Sequence, residues 1–228
     1  MIKICVIGDL HGKLPDRLPY HDMLLIAGDV IPLNIQSNMR LSKDWLVDDF
    51  NEWVDSVTPN KDTPVALIGG NHDYYIEENP NEMAQLLSDN ITYLHNEVKT
   101  FDVLDEEISI YGTPYCHIFG DWPFMKPDEE LEELFSVCPD KVDIILSHDA
   151  PYGVTDVLLE GWNATGEHIG SQPLRNLIDR VDFKYFFHGH LHSTSHELTP
   201  FKNGLVANTS LLNEKYELVY PPLIINYK

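Results

Sequence analysis

Five short clusters of Asp, Asn, His and Gly punctuate the chain. They are Gly8-Asp9-Leu10-His11-Gly12, Gly28-Asp29, Gly69-Gly70-Asn71-His72-Asp73, Ser147-His148-Asp149 and His188-Gly189-His190-Leu191-His192. Their side chains offer carboxylate, imidazole and amide oxygen without thiolate. That donor set suits hard to borderline divalent cations: manganese, iron, zinc, cobalt or nickel. Asp9 and His11 stand two residues apart, as do His190 and His192. On an extended segment that spacing directs both side chains to one side. Flanking glycines permit tight turns and close approach of the backbone to a ligand. One such cluster is commonly just a turn or a pair of satisfied imidazoles. Five in succession point to one site.

The clusters follow short apolar runs. Ile2–Ile7, Met23–Ala27, Val65–Ile68, Val142–Leu146 and Tyr185–Phe187 each precede one of them, and Ile108–Tyr111 is a further run. Runs of this length, rich in Ile and Val, predict strands buried on both faces. Ligands of α/β sheets bind where strands end, which is where these polar residues fall. Helices are expected between some of the runs. One is capped by Ser42 and carries Leu46, Phe50, Trp53 and Val57; another is opened by Pro127; a third spans Ser171–Arg180. After about residue 193 the pattern turns to strands: Glu197–Thr199, Leu205–Asn208 and Leu218–Asn226, with a hairpin turn at Lys202-Asn203-Gly204. The expectation is layered α/β with mixed sheets and outer helices, a single domain over 1–228 with no Pro/Gly/Ser-rich linker.

The ordered series GDLHG, GD, GNHD, SH and GHLH, over positions 8 to 192, resembles the calcineurin-like metallophosphoesterase superfamily. The resemblance implies an α/β fold, a four-layer αββα sandwich of two mixed β-sheets flanked by helices. It implies one divalent ion held by Asp9, His11, Asp29 and His192. A second would be held by Asn71, His148, His190 and the same Asp29, whose carboxylate bridges the two. Manganese is the first expectation for the pair, ahead of iron, zinc, cobalt and nickel. The reaction implied is hydrolysis of a phosphate ester by a hydroxide shared between the ions. His72 is expected to protonate the leaving oxygen or stabilise its charge, with Asp73 orienting its ring. Gly28-Asp29-Val30-Ile31-Pro32 lacks the Asp-Arg-Gly of protein Ser/Thr phosphatases. The segments Ile110–Pro114, Asp121–Phe124 and Ser147–Gly153 are more similar to the small phosphodiesterases of the MPPED (239FB-like) group. Within the last segment, Asp149 and Ala150 replace the Gly and Pro of that group's THGPPLG.

Composition narrows the substrate. The chain carries 37 acidic and 15 basic residues, a formal charge of −22. Such a surface repels long nucleic acids and acidic membranes, whose capture depends on Lys and Arg. Two divalent ions would leave the inner site positive inside this field. The expected partner is therefore a small phosphate ester, most readily a phosphodiester, with no long nucleic acid and no membrane. Phosphomonoester hydrolysis by the same core, and a non-catalytic metal-binding scaffold, are the competing expectations. Trp122, Phe124, Tyr152 and Trp162 could stack on a base or simply pack against the core, and Arg40 and Arg175 are expected to form surface salt links. Cys5, Cys116 and Cys138 lack metal or redox spacing and are expected as apolar filler. The six histidines outside the inferred ligand and catalytic set (His21, His95, His117, His168, His188 and His196) are assigned surface or supporting positions. Gly8 and Asp9 interrupt the first apolar run, and no run is long enough to span a bilayer, so the cytoplasm is the expected compartment.

Overall fold

A computed structural model describes residues 1–159 and 165–228. The chain begins with β1 (Ile2–Ile7) and β2 (Met23–Ala27), followed by α1 (Met39–Trp45) and α2 (Asn51–Val57), which a π-helical turn over Leu46–Phe50 joins. Next come β3 (Val65–Ile68), α3 (Tyr74–Glu78), α4 (Met83–Leu86) and β4 (Ile91–Tyr93). The second half opens with β5 (Glu97–Val103), β6 (Glu106–Thr113), β7 (Cys116–His117) and β8 (Met125–Lys126). It continues with α5 (Asp128–Phe135), β9 (Ile144–Ser147), α6 (Gln172–Arg180) and β10 (Tyr185–His188), and closes with β11 (Thr199–Phe201), β12 (Gly204–Asn208) and β13 (Leu223–Tyr227).

The strands form two mixed sheets, ordered β13-β1-β2-β3-β4 and β11-β12-β10-β9-β6-β5, with β7 and β8 as a separate pair. In the first sheet β1 to β4 run parallel and β13 antiparallel to β1. In the second, β6, β9, β10 and β12 run parallel, with antiparallel β5 and β11 at the edges.

Alternation along each strand builds the layers. Ile4, Val6, Met23, Leu25 and Ile68 face Ile110, Ile144, Leu146 and Phe187 in a core between the sheets. The opposite faces of the same strands, through Cys5, Ile7, Leu24 and Leu67, pack beneath Leu46, Phe50, Trp53 and Val57. On the far side Tyr111, Ile145, Phe186 and Val206 lie under Leu131, Phe135, Leu174 and Leu177 of α5 and α6. Helix, sheet, sheet and helix thus share three apolar cores among the described residues, the four-layer arrangement expected. Ser171 caps α6 by accepting the Leu174 N–H at 3.3 Å. Arg180, in its last turn, donates to the carbonyls of Cys138 and Phe135 and ties α6 to the end of α5.

Several boundaries differ from the sequence expectation. Asn38, not Ser42, caps α1, by accepting the Leu41 N–H; Ser42 is buried and donates to the Ile35 carbonyl. The last strand starts at Leu223 rather than Leu218, because Pro221 and Pro222 have no N–H for a ladder. Thr199–Phe201 replaces Glu197–Thr199, its register set by the Lys202-Asn203-Gly204 turn. All three cysteines are buried thiols without a disulfide.

Candidate metal centre

The five polar clusters sit at the carboxyl ends of β1, β2, β3, β9 and β10, three from one sheet and two from the other. Parallel pairing runs on past the strands: Asp9 N donates to Gly28 O, His11 N to Asp29 O and Gly12 N to Val30 O. The side-chain directions, however, do not come from extended backbone. Asp9, His11, Asp29 and His190 all have positive φ, between 43° and 66°. Left-handed backbone at a residue with a Cβ costs on the order of 1–3 kcal/mol and persists where surrounding structure enforces it. The expectation that Asp9 and His11, or His190 and His192, point together from a strand is therefore corrected; sharp turns aim them.

These turns bring the side chains together. Asp29 Oδ2 lies 3.5 Å from His11 Nε2 and 3.4 Å from His148 Nε2, and Asp9 Oδ1 lies 3.4 Å from His192 Nε2. Asn71 Oδ1 stands 2.9 Å from His148 Nε2. The His190 ring is 5.3 Å from that of His148, and its backbone N–H donates to the Asp9 carboxylate. Asp9, His11 and His192 form one group able to hold a cation; Asp9, Asp29 and His148 form another.

The donor atoms fit divalent metal on local chemistry. Both ring nitrogens of His11 are buried with no hydrogen-bond partner among the described residues, a costly state unless an ion takes a lone pair. His148 Nδ1 donates to the Ala27 carbonyl at 2.7 Å and His192 Nδ1 to the Asn213 carbonyl at 3.1 Å. Those contacts fix both tautomers and turn Nε2 inward, as supporting carbonyls do for metal-ligating histidine. With Nδ1 so engaged, His148 Nε2 beside the Asn71 oxygen requires a cation or a second proton between them. Burial opposes that positive charge, yet the Asp29 carboxylate prevails and holds the His148 pKa up to about 10. Burial likewise resists charge on Asp9, but hydrogen bonding to His192 pulls its pKa down to about 2. His11 and His190, more strongly governed by burial, are pushed down to about 4 and stay neutral.

Asp73 does not orient His72. Its buried carboxylate accepts N–H groups from Val30, Ile31 and Gly70, at 3.1, 3.0 and 2.9 Å, and pins the β2 and β3 loops together. Burial, with the neighbouring Asp29 charge, raises its pKa to about 7. The partner of the His72 ring is Gln36, whose Oε1 lies 2.8 Å from Nδ1, and Trp122 packs against the ring at 4.7 Å. Tyr216 stands 5.1 Å from the His11 ring and 5.2 Å from that of His192. Gln36, Asn213 and Tyr216 lie outside every cluster, and nothing in their local sequence marks them. Phe124 is fully buried, as packing predicts, whereas Trp122 and Tyr152 are exposed. Trp162 lies outside the described residues. Arg40 and Arg175 pair with Asp44 and Asp179 on the surface.

A model of the family described as calcineurin-like phosphoesterase matches residues 2–194. The chain is 27% identical over 246 residues to the human metallophosphoesterase domain-containing protein 1, covering 98% of this chain and 70% of that one. It is also 27% identical to a UPF0046 protein of Caenorhabditis elegans, covering 99% of this chain and 80% of the relative. Among solved structures, TT1561 of Thermus thermophilus superposes with a TM-score of 0.54 at 14% identity, over 91% of this chain and 88% of that one. Among the described residues no helix is long and apolar enough to cross a membrane.

Proposed function

The chain belongs to the calcineurin-like phosphoesterase family, and from that premise we propose that it hydrolyses small phosphodiesters with a pair of divalent ions, manganese first. The observation that carries this reading is the convergence on Asp29: a buried carboxylate between His11, whose ring nitrogens have no hydrogen-bond partner among the described residues, and His148, whose Nε2 meets the Asn71 oxygen. Asp9, His11, Asp29 and His192 would hold one ion; Asn71, His148, His190 and Asp29 would hold the other. When bound, such ions neutralise phosphoryl charge and make a water acidic enough to attack near neutral pH.

The protein's own residues do the rest. Asp29 and Asp9 set the negative charge of the cradle and neutral His11 and His190 add none to it, so two divalent ions would outweigh the carboxylates and the loaded site would attract phosphate. His72, partly buried and oriented by Gln36, donates to the leaving oxygen as the ester bond breaks. Asp73 contributes by fixing the loop that carries Asn71 and His72. The charge of −22 supports a small ester over a polymer, because only the inner site, once loaded with metal, would attract phosphate.

The test is chelator treatment, manganese add-back and comparison of bis-p-nitrophenyl phosphate with p-nitrophenyl phosphate. Diester turnover restored by metal and exceeding monoester turnover is expected. Preference for the monoester removes the diester assignment, and turnover of neither ester removes the enzyme.

A further inference from the structure

A second built feature flanks the metal centre. Asp149, which stands where the MPPED-like motif has glycine, is fully buried one residue beyond His148. Its Oδ2 accepts both the backbone N–H of His117 at 3.0 Å and the His117 ring Nδ1 at 2.7 Å, and its Oδ1 accepts the Ala150 N–H. A carboxylate only accepts, so Nδ1 carries the proton, and Nε2 is the ring's remaining polar atom. The His117 side chain is 22% exposed and lines a cleft of about 490 Å³ with Phe119, Leu158, Ile169, His190 and Glu214. Phe119 bridges the two histidines, its ring 5.8 Å from His117 and 4.9 Å from His190. The cleft thus continues the inferred ligand His190 into a partly apolar recess with one oriented imidazole.

We propose that His117 is a specificity-determining residue that contacts the uncharged, ring-bearing substituent of a phosphodiester, a nucleoside for example, while Phe119 covers a face of that substituent. The inference rests on the phosphodiesterase reading above and deepens it. An exposed aromatic ring beside Leu158 and Ile169 suits a planar group, and such stacking tolerates any base. Glu167 and Glu214 also line the cleft, which disfavours a substituent bearing a second phosphate. Asp149 is then a positioning residue, its burial holding the His117 ring in one orientation.

The experiment uses the full chain loaded with manganese and two diesters that release the same p-nitrophenolate: thymidine 5′-(p-nitrophenyl phosphate) and methyl p-nitrophenyl phosphate. The native protein is expected to favour the thymidine ester through KM. His117→Ala is expected to cut the ratio of kcat/KM values, thymidine over methyl, by about ten-fold, the size of one lost polar contact, carried by KM. His117→Gln, which keeps a polar end, should recover part of that ratio. Phe119→Ala, at a half-exposed position safe for folding, should lower it as well. A merely structural His117 would depress both esters equally, and that result, or an unchanged ratio in both variants, overturns the inference while leaving the phosphodiesterase reading intact. Turnover of neither ester by the native protein overturns both.

Discussion

The Oδ1 atom of Asp29 accepts the backbone N–H of His72 at 2.7 Å, while Oδ2 faces His11 on one side and His148 on the other. One carboxylate thereby fixes the loop after β3 and joins both halves of the candidate centre. Asp29→Asn keeps the shape and an acceptor for the His72 N–H but removes the charge. It is expected to fold, to lose both ions, and to turn over diesters at least about 10³-fold more slowly, since metal-derived stabilisation is lost outright. Metal content after gel filtration and kcat are the measurements; two ions retained per chain would contradict the bridging assignment.

Gly70 shows how little room the centre has. A Cβ there would lie 2.6 Å from both Asp29 N and His148 Cε1 and would overlap the Asp29 carboxylate. Neither neighbour has space to yield, because both are fully buried. Gly70→Ala should therefore cost about 1–3 kcal/mol, as overpacking of a tight interior does, and should weaken metal binding. Urea unfolding of the metal-free and metal-loaded protein separates the two effects.

What the sequence discloses follows from this geometry. Donor types at strand ends are visible in one dimension because five parallel strands, β1, β2, β3, β9 and β10, each end in their own polar cluster. The left-handed φ of Asp9, His11, Asp29 and His190 is not visible, because it is imposed by the opposing loop rather than by local preference. Adjacency makes Asp73 look like the partner of His72, yet three backbone donors from two loops compete for that carboxylate and win. Strand β5 escapes a search for apolar runs because Glu97, Lys99, Thr100 and Asp102 interrupt its apolar residues and only Phe101 and Val103 are buried. The Asp149 departure from the motif is legible; its partner His117, 32 residues away, is not.

The corrected role of Asp73 gives a sharp contrast. Asp73→Ala strands buried N–H groups of Val30, Ile31 and Gly70, each worth about 1–3 kcal/mol when unsatisfied. A loss of about 3 kcal/mol or more is expected in the metal-free protein, with diminished metal affinity. Asp73→Asn, which keeps one acceptor oxygen, should recover part of it. Thermal or urea unfolding decides; a variant that loses only rate, at native stability, would return Asp73 to the side of His72.

His72 should behave in the opposite way. His72→Ala is expected to keep both ions and lose about 10²–10⁴ in kcat, the range of general-acid catalysis, most severely for alkyl leaving groups that need a proton. Gln36→Ala removes the group that orients the ring and should follow the same leaving-group dependence at smaller amplitude. Plotting log kcat against leaving-group pKa tests both. Equal losses for nitrophenyl and alkyl esters would take the proton-donor role away from His72.

Asp143, outside the metal-centre clusters, offers a test of stability against pH. Its carboxylate accepts from Ser109 N and Oγ at 2.9 and 2.6 Å and lies 3.0 Å from Lys184 Nζ. Partial burial resists the charge, but these donors prevail and lower its pKa from 3.8 to about 2. A carboxylate with a depressed folded-state pKa stabilises fully above its unfolded value, and that contribution disappears as pH falls through the folded value. The gap in urea midpoint between the native chain and Asp143→Asn should hence be constant from neutrality to about pH 5, narrow below about pH 4 and approach its minimum near pH 2. The comparison is made on metal-free protein, so that ion release in acid does not add to it. A gap that persists undiminished at about pH 2 would show that the hydrogen-bonded shape of the side chain, not its charge, is what joins β6 to the start of β9.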